Sequence, residues 1–140
     1  MGVTLRAGRE SDLPVIEAVA QREQLDNREA RPEEYVVAEA EGVLIGFGRL
    51  LDHPEAWEIA CMYVEPGRRR KRIGTRIVES LLALTDAEKP TYVVAGAPDF
   101  FTALGFVATQ DMPASIKAKS DYCRRSFDEV CVVMRLEENR

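Results

Sequence analysis

The chain has 140 residues, of which 24 are acidic and 19 are basic, so its formal net charge is −5. This length fits one domain that buries about two-thirds of its unfolded surface, and we expect residues 1–140 to form a single domain. The acidic balance argues against a nucleic-acid partner. The sequence shows neither a long apolar span nor an apolar signal core, which predicts a cytoplasmic protein with no membrane partner.

The amino-terminal half predicts a strand, a helix and a meander of strands. Residues 3–6 form the first expected strand, and Ser11 is the expected cap of a helix that buries Ile16 and Val19. Residues 35–40 and 43–51 flank the pair Glu41-Gly42, which is typical of a β-hairpin. Residues 57–64 extend the meander and end before Pro66-Gly67.

The carboxyl-terminal half predicts a strand–helix–strand unit and two closing strands. From Ile73 the apolar residues recur every three to four positions, which predicts a helix that ends before Lys89-Pro90, and residues 91–95 form the next strand. Residues 98–104 predict a short helix that Gly105 stops. Residues 106–109 and 130–136 predict strands on either side of a basic, partly helical segment. The strand at residues 130–136 is expected to lie at an edge of the sheet, where it could pair with its copy in a homodimer.

The segment YVEPGRRRKRIGT, residues 63–75, joins a strand to a helix through five consecutive basic residues, 68–72. The first amides of a helix lack internal partners and carry the positive end of its dipole, so this junction attracts anions. Gly74 would let a phosphate approach the backbone closely. The segment therefore predicts a phosphate-binding loop, with a solvated turn or a nucleic-acid patch as alternatives.

The three cysteines do not indicate a metal or disulfide site. Cys61, Cys123 and Cys131 are odd in number and show no C-x-x-C spacing. We interpret them as reduced core residues, and we expect no metal cofactor.

Val64, Pro66, Arg69 and Gly74 resemble the acyl-CoA-binding motif V-x-P-x-x-Q/R-x-x-G-x-G/A of the GNAT acetyltransferase superfamily. Arg72 stands at the first motif glycine, and Arg70 stands where a glycine often follows the Q/R position. The resemblance implies an α/β (α+β) fold with a mixed central sheet, splayed between strands four and five and flanked by helices, and acetyl-CoA as cosubstrate. It also implies a set of cofactor-binding residues: Met62, Tyr63, Val64, Arg69, Arg70, Lys71, Arg72, Ile73, Gly74 and Thr75.

Amine acetylation needs a group that removes a proton from the acceptor amine, and Glu58 is our candidate catalytic residue. It lies eleven positions before Arg69, the offset at which histone-acetyltransferase members of the family carry their general base. Strand alternation would place Glu58 on one face with Ala60, Met62 and Val64. A carboxylate there can accept the proton if burial raises its pKa toward neutrality. The alternative is a solvated glutamate at the end of a strand.

The general acid is not evident from the sequence. Phe101 stands where many family members carry a tyrosine that protonates the departing thiolate. Tyr63, Tyr122, Cys123 or water could substitute, and His53 lies in an expected loop beside Pro54.

Residues 100–106, the pair Met112-Pro113, Cys123 and residues 128–130 are similar to the late segment of short bacterial N-acetylglutamate synthases. This resemblance favours a free amino acid as acceptor, although Ala60 replaces an arginine that is frequent in those enzymes. We expect an acetyl-CoA-dependent N-acetyltransferase acting on a small-molecule amine, with an amino acid as one candidate. A protein amino-group acetyltransferase and a CoA-binding regulatory module without turnover are the alternatives. Five basic residues would either pair with an acceptor carboxylate or remain surface charges: Arg49, Lys117, Lys119, Arg124 and Arg125.

Overall fold

The computed structural model of the protein describes residues 2–69, 71–127 and 130–137. Over these residues the strands are β1 Thr4–Ala7, β2 Tyr35–Ala40, β3 Val43–Asp52, β4 Trp57–Val64, β5 Thr91–Ala95, β6 Phe106–Ala108 and β7 Val132–Leu136. The helices are α1 Leu13–Glu23, α2 Ile73–Leu82, α3 Pro98–Ala103 and α4 Ala114–Ser126. Every predicted element is therefore present. The strands predicted at residues 35–40, 57–64 and 91–95 have the predicted bounds, and the other elements differ at one or both ends.

The strands form one mixed sheet in the order β1-β2-β3-β4-β5-β7-β6. Strands β4 and β5 pair in parallel, with Trp57 opposite Thr91 and Ile59 opposite Val93, whereas β5 pairs with β7 and β7 with β6 in antiparallel register. This mixed sheet confirms the predicted fold class. The expectation of an edge strand at residues 130–136 is wrong, because β7 lies between β5 and β6, and the homodimer stays a prediction.

The chain divides into two compact units. The first consists of Met1–Leu50 and Ala60–Leu84, and the second consists of Leu51–Ile59 and Thr85–Arg140. Strand β4 contributes residues to each of them. The expectation of a single domain stays a prediction.

In the first unit, the hairpin between β2 and β3 turns as predicted, because Glu41 and Gly42 both adopt left-handed backbone conformations, with φ of 54° and 79°. Helix α2 packs against β2 and lies close to β3. A Cβ atom on Gly48 would lie 2.7 Å from Cγ2 of Ile77. The absence of a side chain at Gly48 therefore allows α2 to pack closely against β3 at this position.

The prediction that Ser11 caps helix α1 is wrong. Asp12 occupies the N-cap position, and Ser11 lies in a preceding 3-10 turn, Glu10–Asp12. The Asp12 carboxylate accepts hydrogen bonds from the Arg9 amide, at 2.7 Å, and from the Arg6 guanidinium, at 2.8 and 2.9 Å. The Asp12 side chain thus bonds to residues before the helix, and α1 starts one residue later than the sequence indicates.

In the second unit, helix α4 packs against β5 and β7, and α3 packs against β6 and β7. The buried contacts there centre on Ala56, Tyr92, Ile116 and Val133. None of the helices among the described residues combines the length and the apolar character that crossing a membrane would require.

Candidate active-site residues

Strand β4 carries an interruption in its middle. Cys61 adopts a left-handed backbone conformation, with φ of 54°, which is uncommon for a residue other than glycine and is typical of a bulge. Its Sγ lies 3.9 Å from the Tyr35 hydroxyl, and the Tyr63 ring packs 5.6 Å from the ring of Phe47. Such a residue interrupts the regular alternation of side chains between Glu58 and Val64, so the shared face of Glu58, Met62 and Val64 stays a prediction.

The loop after β4 is tied back to the strand. A 3-10 turn, Pro66–Arg68, leads into Arg69, whose Nε donates a hydrogen bond to the Val64 carbonyl at 2.8 Å. The Glu65 amide donates to the carbonyl of Ile45 on β3, also at 2.8 Å. These bonds hold the path of the chain toward α2 while the Arg69 side chain stays exposed. Arg70, which was predicted to bind the cofactor, lies outside the described residues.

The start of α2 has the features of an anion site. The first helical bond runs from the Arg76 amide to the Arg72 carbonyl, so the amides of Ile73, Gly74 and Thr75 precede the hydrogen-bonded turns. Lys71 and Arg72 are exposed beside them. Backbone N–H groups and exposed cations at one helix end favour a phosphate-bearing ligand.

The backbone conformation of Arg72 explains why the motif has glycine at this position. Its φ of 63° and ψ of 15° place it in the left-handed region. Glycine enters that region freely, whereas a residue with a Cβ atom pays roughly 1–2 kcal/mol. The arginine thus adds a positive charge at the helix end and carries backbone strain.

Glu58, the predicted catalytic residue, lies in the second unit. It is 1% exposed, and each carboxylate oxygen has a partner: Oε1 lies 2.9 Å from Nε2 of His53, and Oε2 accepts a hydrogen bond from Nζ of Lys119 at 2.6 Å. The alternative of a solvated strand-end glutamate is therefore wrong. We call Glu58, His53 and Lys119 the carboxylate cluster.

The pKa of Glu58 does not rise toward neutrality, which was the condition for a carboxylate to act alone as the base. Burial is the largest single influence and raises the pKa, but the hydrogen bond from His53 and the charge and hydrogen bond of Lys119 together outweigh it. The net pKa is lower than that of an ordinary glutamate, so the carboxylate is ionised at neutral pH.

His53 is held in place by its loop. Its backbone exchanges hydrogen bonds with Ala56, at 2.9 and 3.4 Å, closing a tight turn between β3 and β4. Lys89 Nζ donates to the His53 carbonyl at 2.6 Å, pairs with Asp52 and lies 4.5 Å from the centre of the Trp57 ring. The imidazole remains 25% exposed.

Two of the five basic residues considered as acceptor partners or surface charges are buried. Lys119, on α4, belongs to the carboxylate cluster. Arg49 is 2% exposed, pairs with Glu34 at 2.9 Å, and donates to the carbonyls of Asp26 and Arg28. Arg49 therefore anchors the segment between α1 and β2, while Lys117, Arg124 and Arg125 are exposed.

The candidate general acids have structural contacts. Phe101 is buried and packs edge-to-face against Phe100 and Phe106, at 4.9 and 5.4 Å. The Tyr63 hydroxyl accepts a hydrogen bond from Arg22 at 3.2 Å, and the Tyr122 ring packs 5.6 Å from that of Phe127. Cys123 is buried.

Within residues 2–69, 71–127 and 130–137, no group of three or more histidine, cysteine, aspartate or glutamate side chains is arranged to hold a metal ion.

Residues 31–108, more than half of the chain, match the sequence model of a family described as acetyltransferase (GNAT) domain.

Solved structures with the same fold include several CoA complexes. N-acetylglutamate synthase from Neisseria gonorrhoeae, complexed with coenzyme A and N-acetyl-glutamate, superimposes with a TM-score of 0.80 at 18% identity, over 100% of this chain and 36% of that one. Rv2747 from Mycobacterium tuberculosis, in complex with CoA and NLQ, gives 0.74 at 20% identity, over 95% and 98% of the two chains. Arabidopsis thaliana Naa50, in complex with the bisubstrate analogue CoA-Ac-MVNAL, gives 0.69 at 15% identity, over 98% and 99%. This chain thus spans about a third of the length of the Neisseria synthase.

We predict that Arg72→Gly stabilises the protein by up to about 1 kcal/mol, because relief of the left-handed strain exceeds the entropy that glycine adds to the unfolded chain. The measurement is urea unfolding of the protein without ligand. Lys71→Gly is the matched control: Lys71 is the exposed neighbour without positive φ, and its replacement should lower the free energy of unfolding. Equal destabilisation by both changes would contradict the strain assignment.

We predict that Lys119→Met lowers the free energy of unfolding by about 3–5 kcal/mol at pH 7, because it leaves the Glu58 charge buried with a missing partner. Lys117→Met, on the exposed side of the same helix, should cost less than about 0.5 kcal/mol. A Glu58→Gln/Lys119→Met double variant should recover part of the loss, and additive losses would argue against coupling.

The stability that the pair Glu58–Lys119 contributes depends on pH. Because the folded-state pKa of Glu58 is lowered, the ionised carboxylate contributes stability that is present above its ordinary value of 4.5 and is lost as pH falls through the folded-state pKa. The difference in unfolding free energy between wild type and Lys119→Met should therefore shrink below pH 4.5 in chemical denaturation at stepped pH.

Proposed function

Because this chain belongs to the GNAT acetyltransferase family, we propose that it is an acetyl-CoA-dependent N-acetyltransferase that transfers an acetyl group to the amine of a small molecule. An amino acid is one candidate acceptor. The observation that carries the proposal is the start of α2, where early helix amides and exposed cations follow directly on strand β4 and its anchored loop.

The residues at this helix start fit the diphosphate of CoA. The amides of Ile73, Gly74 and Thr75 can donate to phosphate oxygens, and Lys71 and Arg72 can neutralise their charge. Arg69 fixes the loop through its bond to Val64, and we include Arg70 in the binding set on the strength of the motif alone. Backbone groups of Met62, Tyr63 and Val64, after the interruption at Cys61, would orient the acyl group.

Bound acetyl-CoA supplies an activated thioester, so the protein must supply orientation and proton transfer. An acceptor ammonium has to lose a proton before its nitrogen becomes a nucleophile. We assign this task to the carboxylate cluster around Glu58, which lies on the same strand as Met62–Val64. Its buried charge and its histidine partner are the means of removing that proton.

Two acceptor classes have support in the comparisons. The Neisseria synthase complex contains N-acetyl-glutamate, which favours an amino acid, and the Naa50 complex contains CoA-Ac-MVNAL, which favours a protein amino terminus as the second candidate. Both of these enzymes would release the CoA thiol, whereas a regulatory module that binds CoA without turnover would not. Acceptor screening should therefore pair free amino acids with short peptides.

We predict that the double variant Lys71→Glu/Arg72→Glu weakens acetyl-CoA binding by about tenfold or more, because each reversal places a negative charge at the positive end of α2. Isothermal calorimetry at low and moderate salt measures the effect. Arg124→Glu/Arg125→Glu, an equal charge change at exposed positions of α4, is the control and should leave the affinity within twofold. Unchanged affinity in the Lys71/Arg72 variant would remove α2 as the cofactor site.

We predict that Glu58→Gln lowers kcat/KM for acetyl transfer by about 10²-fold while acetyl-CoA affinity changes less than twofold. The assay follows free CoA thiol with an amine acceptor, and binding is measured in parallel. Thiol release that depends on an amine supports an enzyme. Binding of acetyl-CoA without thiol release for any acceptor would instead support the regulatory module.

A further inference from the structure

His53 is the single histidine of the chain, and one nitrogen of its ring contacts Glu58 within the carboxylate cluster. Nε2 lies 2.9 Å from Oε1 of Glu58. The ring is a quarter exposed, whereas the Glu58 side chain is almost fully enclosed. Of the two groups that could take a proton in this cluster, the imidazole is the one that a solvent-borne partner can reach.

The hydrogen bonds of Glu58 decide which ring nitrogen carries hydrogen. An ionised carboxylate only accepts hydrogen bonds, and Lys119 donates to its second oxygen at 2.6 Å. The first oxygen must therefore accept a hydrogen from Nε2 of His53, which assigns the Nε2–H tautomer to a neutral imidazole. The lone pair is then on Nδ1.

We propose that Nδ1 of His53 accepts the proton of the acceptor amine and that Glu58 is the positioning residue that orients and stabilises the imidazole. This assignment rests on the proposed acetyltransferase function and specifies its proton acceptor. The arrangement follows the general logic of a carboxylate–histidine pair, in which a buried carboxylate fixes the tautomer and stabilises the imidazolium that forms.

The proton balance is complete with the reactants already named. One N–H bond of the acceptor ammonium breaks, and its proton passes to Nδ1 directly or through one water. The neutral amine forms the new C–N bond as the C–S bond of the thioester breaks. The second proton lost from that nitrogen neutralises the departing thiolate, and the imidazolium returns its proton from Nδ1 to solvent.

Glu58 is the less suitable terminal acceptor for two reasons. Protonating it would cancel its attraction to the buried ammonium of Lys119. Placing the proton on His53 keeps the carboxylate ionised between two cations. The lowered pKa of Glu58 agrees with this preference.

The charges around His53 come from several elements. Glu58 on β4 and Asp52 on β3 are acidic, while Lys119 on α4 and Lys89 ahead of β5 are basic. Tyr92 on β5 pairs in register with Glu58. Among these groups, Glu58 contacts the imidazole ring directly, with Oε1 2.9 Å from Nε2.

The test uses His53→Ala and His53→Gln in the full chain, with acetyl-CoA and an acceptor that the wild type uses. We expect kcat/KM to fall about 10²-fold in both variants with acetyl-CoA affinity unchanged within twofold. We also expect added imidazole to restore at least tenfold of the lost rate in His53→Ala and none in Glu58→Gln, where the histidine still fills its place. The fall of wild-type kcat/KM on the acidic side of its pH profile should be absent from His53→Ala.

His53→Gln separates chemistry from structure, because its amide can donate to Glu58 in place of Nε2–H but has no basic nitrogen. Wild-type activity in His53→Gln, or wild-type activity and pH profile in His53→Ala, would overturn the assignment and leave Glu58 as the direct acceptor. A wild-type protein that releases no thiol with any amine would overturn the proposed function, and this inference with it.

Discussion

The buried ion pair between Glu58 and Lys119 is the constraint on which the second unit and its chemistry depend. Removing two charges from water is costly, and the cost is offset only when each charge meets a well-placed partner. Here the carboxylate has two partners, one from α4 and one from the turn before β4. Lys119 thus links helix α4 to β4 by charge, while Ile116 of the same helix packs with Ala56, Tyr92 and Val133.

The proposed cofactor loop relies on a different physical principle, since its working groups are mostly backbone. The start of α2 offers amides because any helix begins with unpaired donors, and the local sequence adds cations around them. Arg72 accepts a left-handed conformation there, and Arg69 ties the loop to Val64. The Arg69 bond thus anchors the loop that leads to the helix end, and binding an anion through backbone amides requires those amides to keep a fixed position.

The start of α2 and the carboxylate cluster suit the two demands of the proposed acetyl transfer, which are cofactor binding and proton removal. Binding a diphosphate calls for exposed positive charge, which Lys71 and Arg72 provide. Removing a proton from an amine calls for a base whose environment is fixed, and the carboxylate cluster provides a buried carboxylate beside a partly exposed imidazole. A solvated glutamate would also be ionised at neutral pH, but it would not fix the tautomer of a neighbouring imidazole.

The sequence by itself determined the element order, the hairpin at Glu41-Gly42 and the position of the loop before α2, because periodicity, turn residues and charge runs are local properties. It also singled out Glu58. Only the tertiary structure decided that Lys119, 61 positions away, and His53 enclose that carboxylate, and that β7 lies inside the sheet. The direction of the Glu58 pKa followed from those partners: burial alone raises it, and partners that only folding assembles reverse the sign.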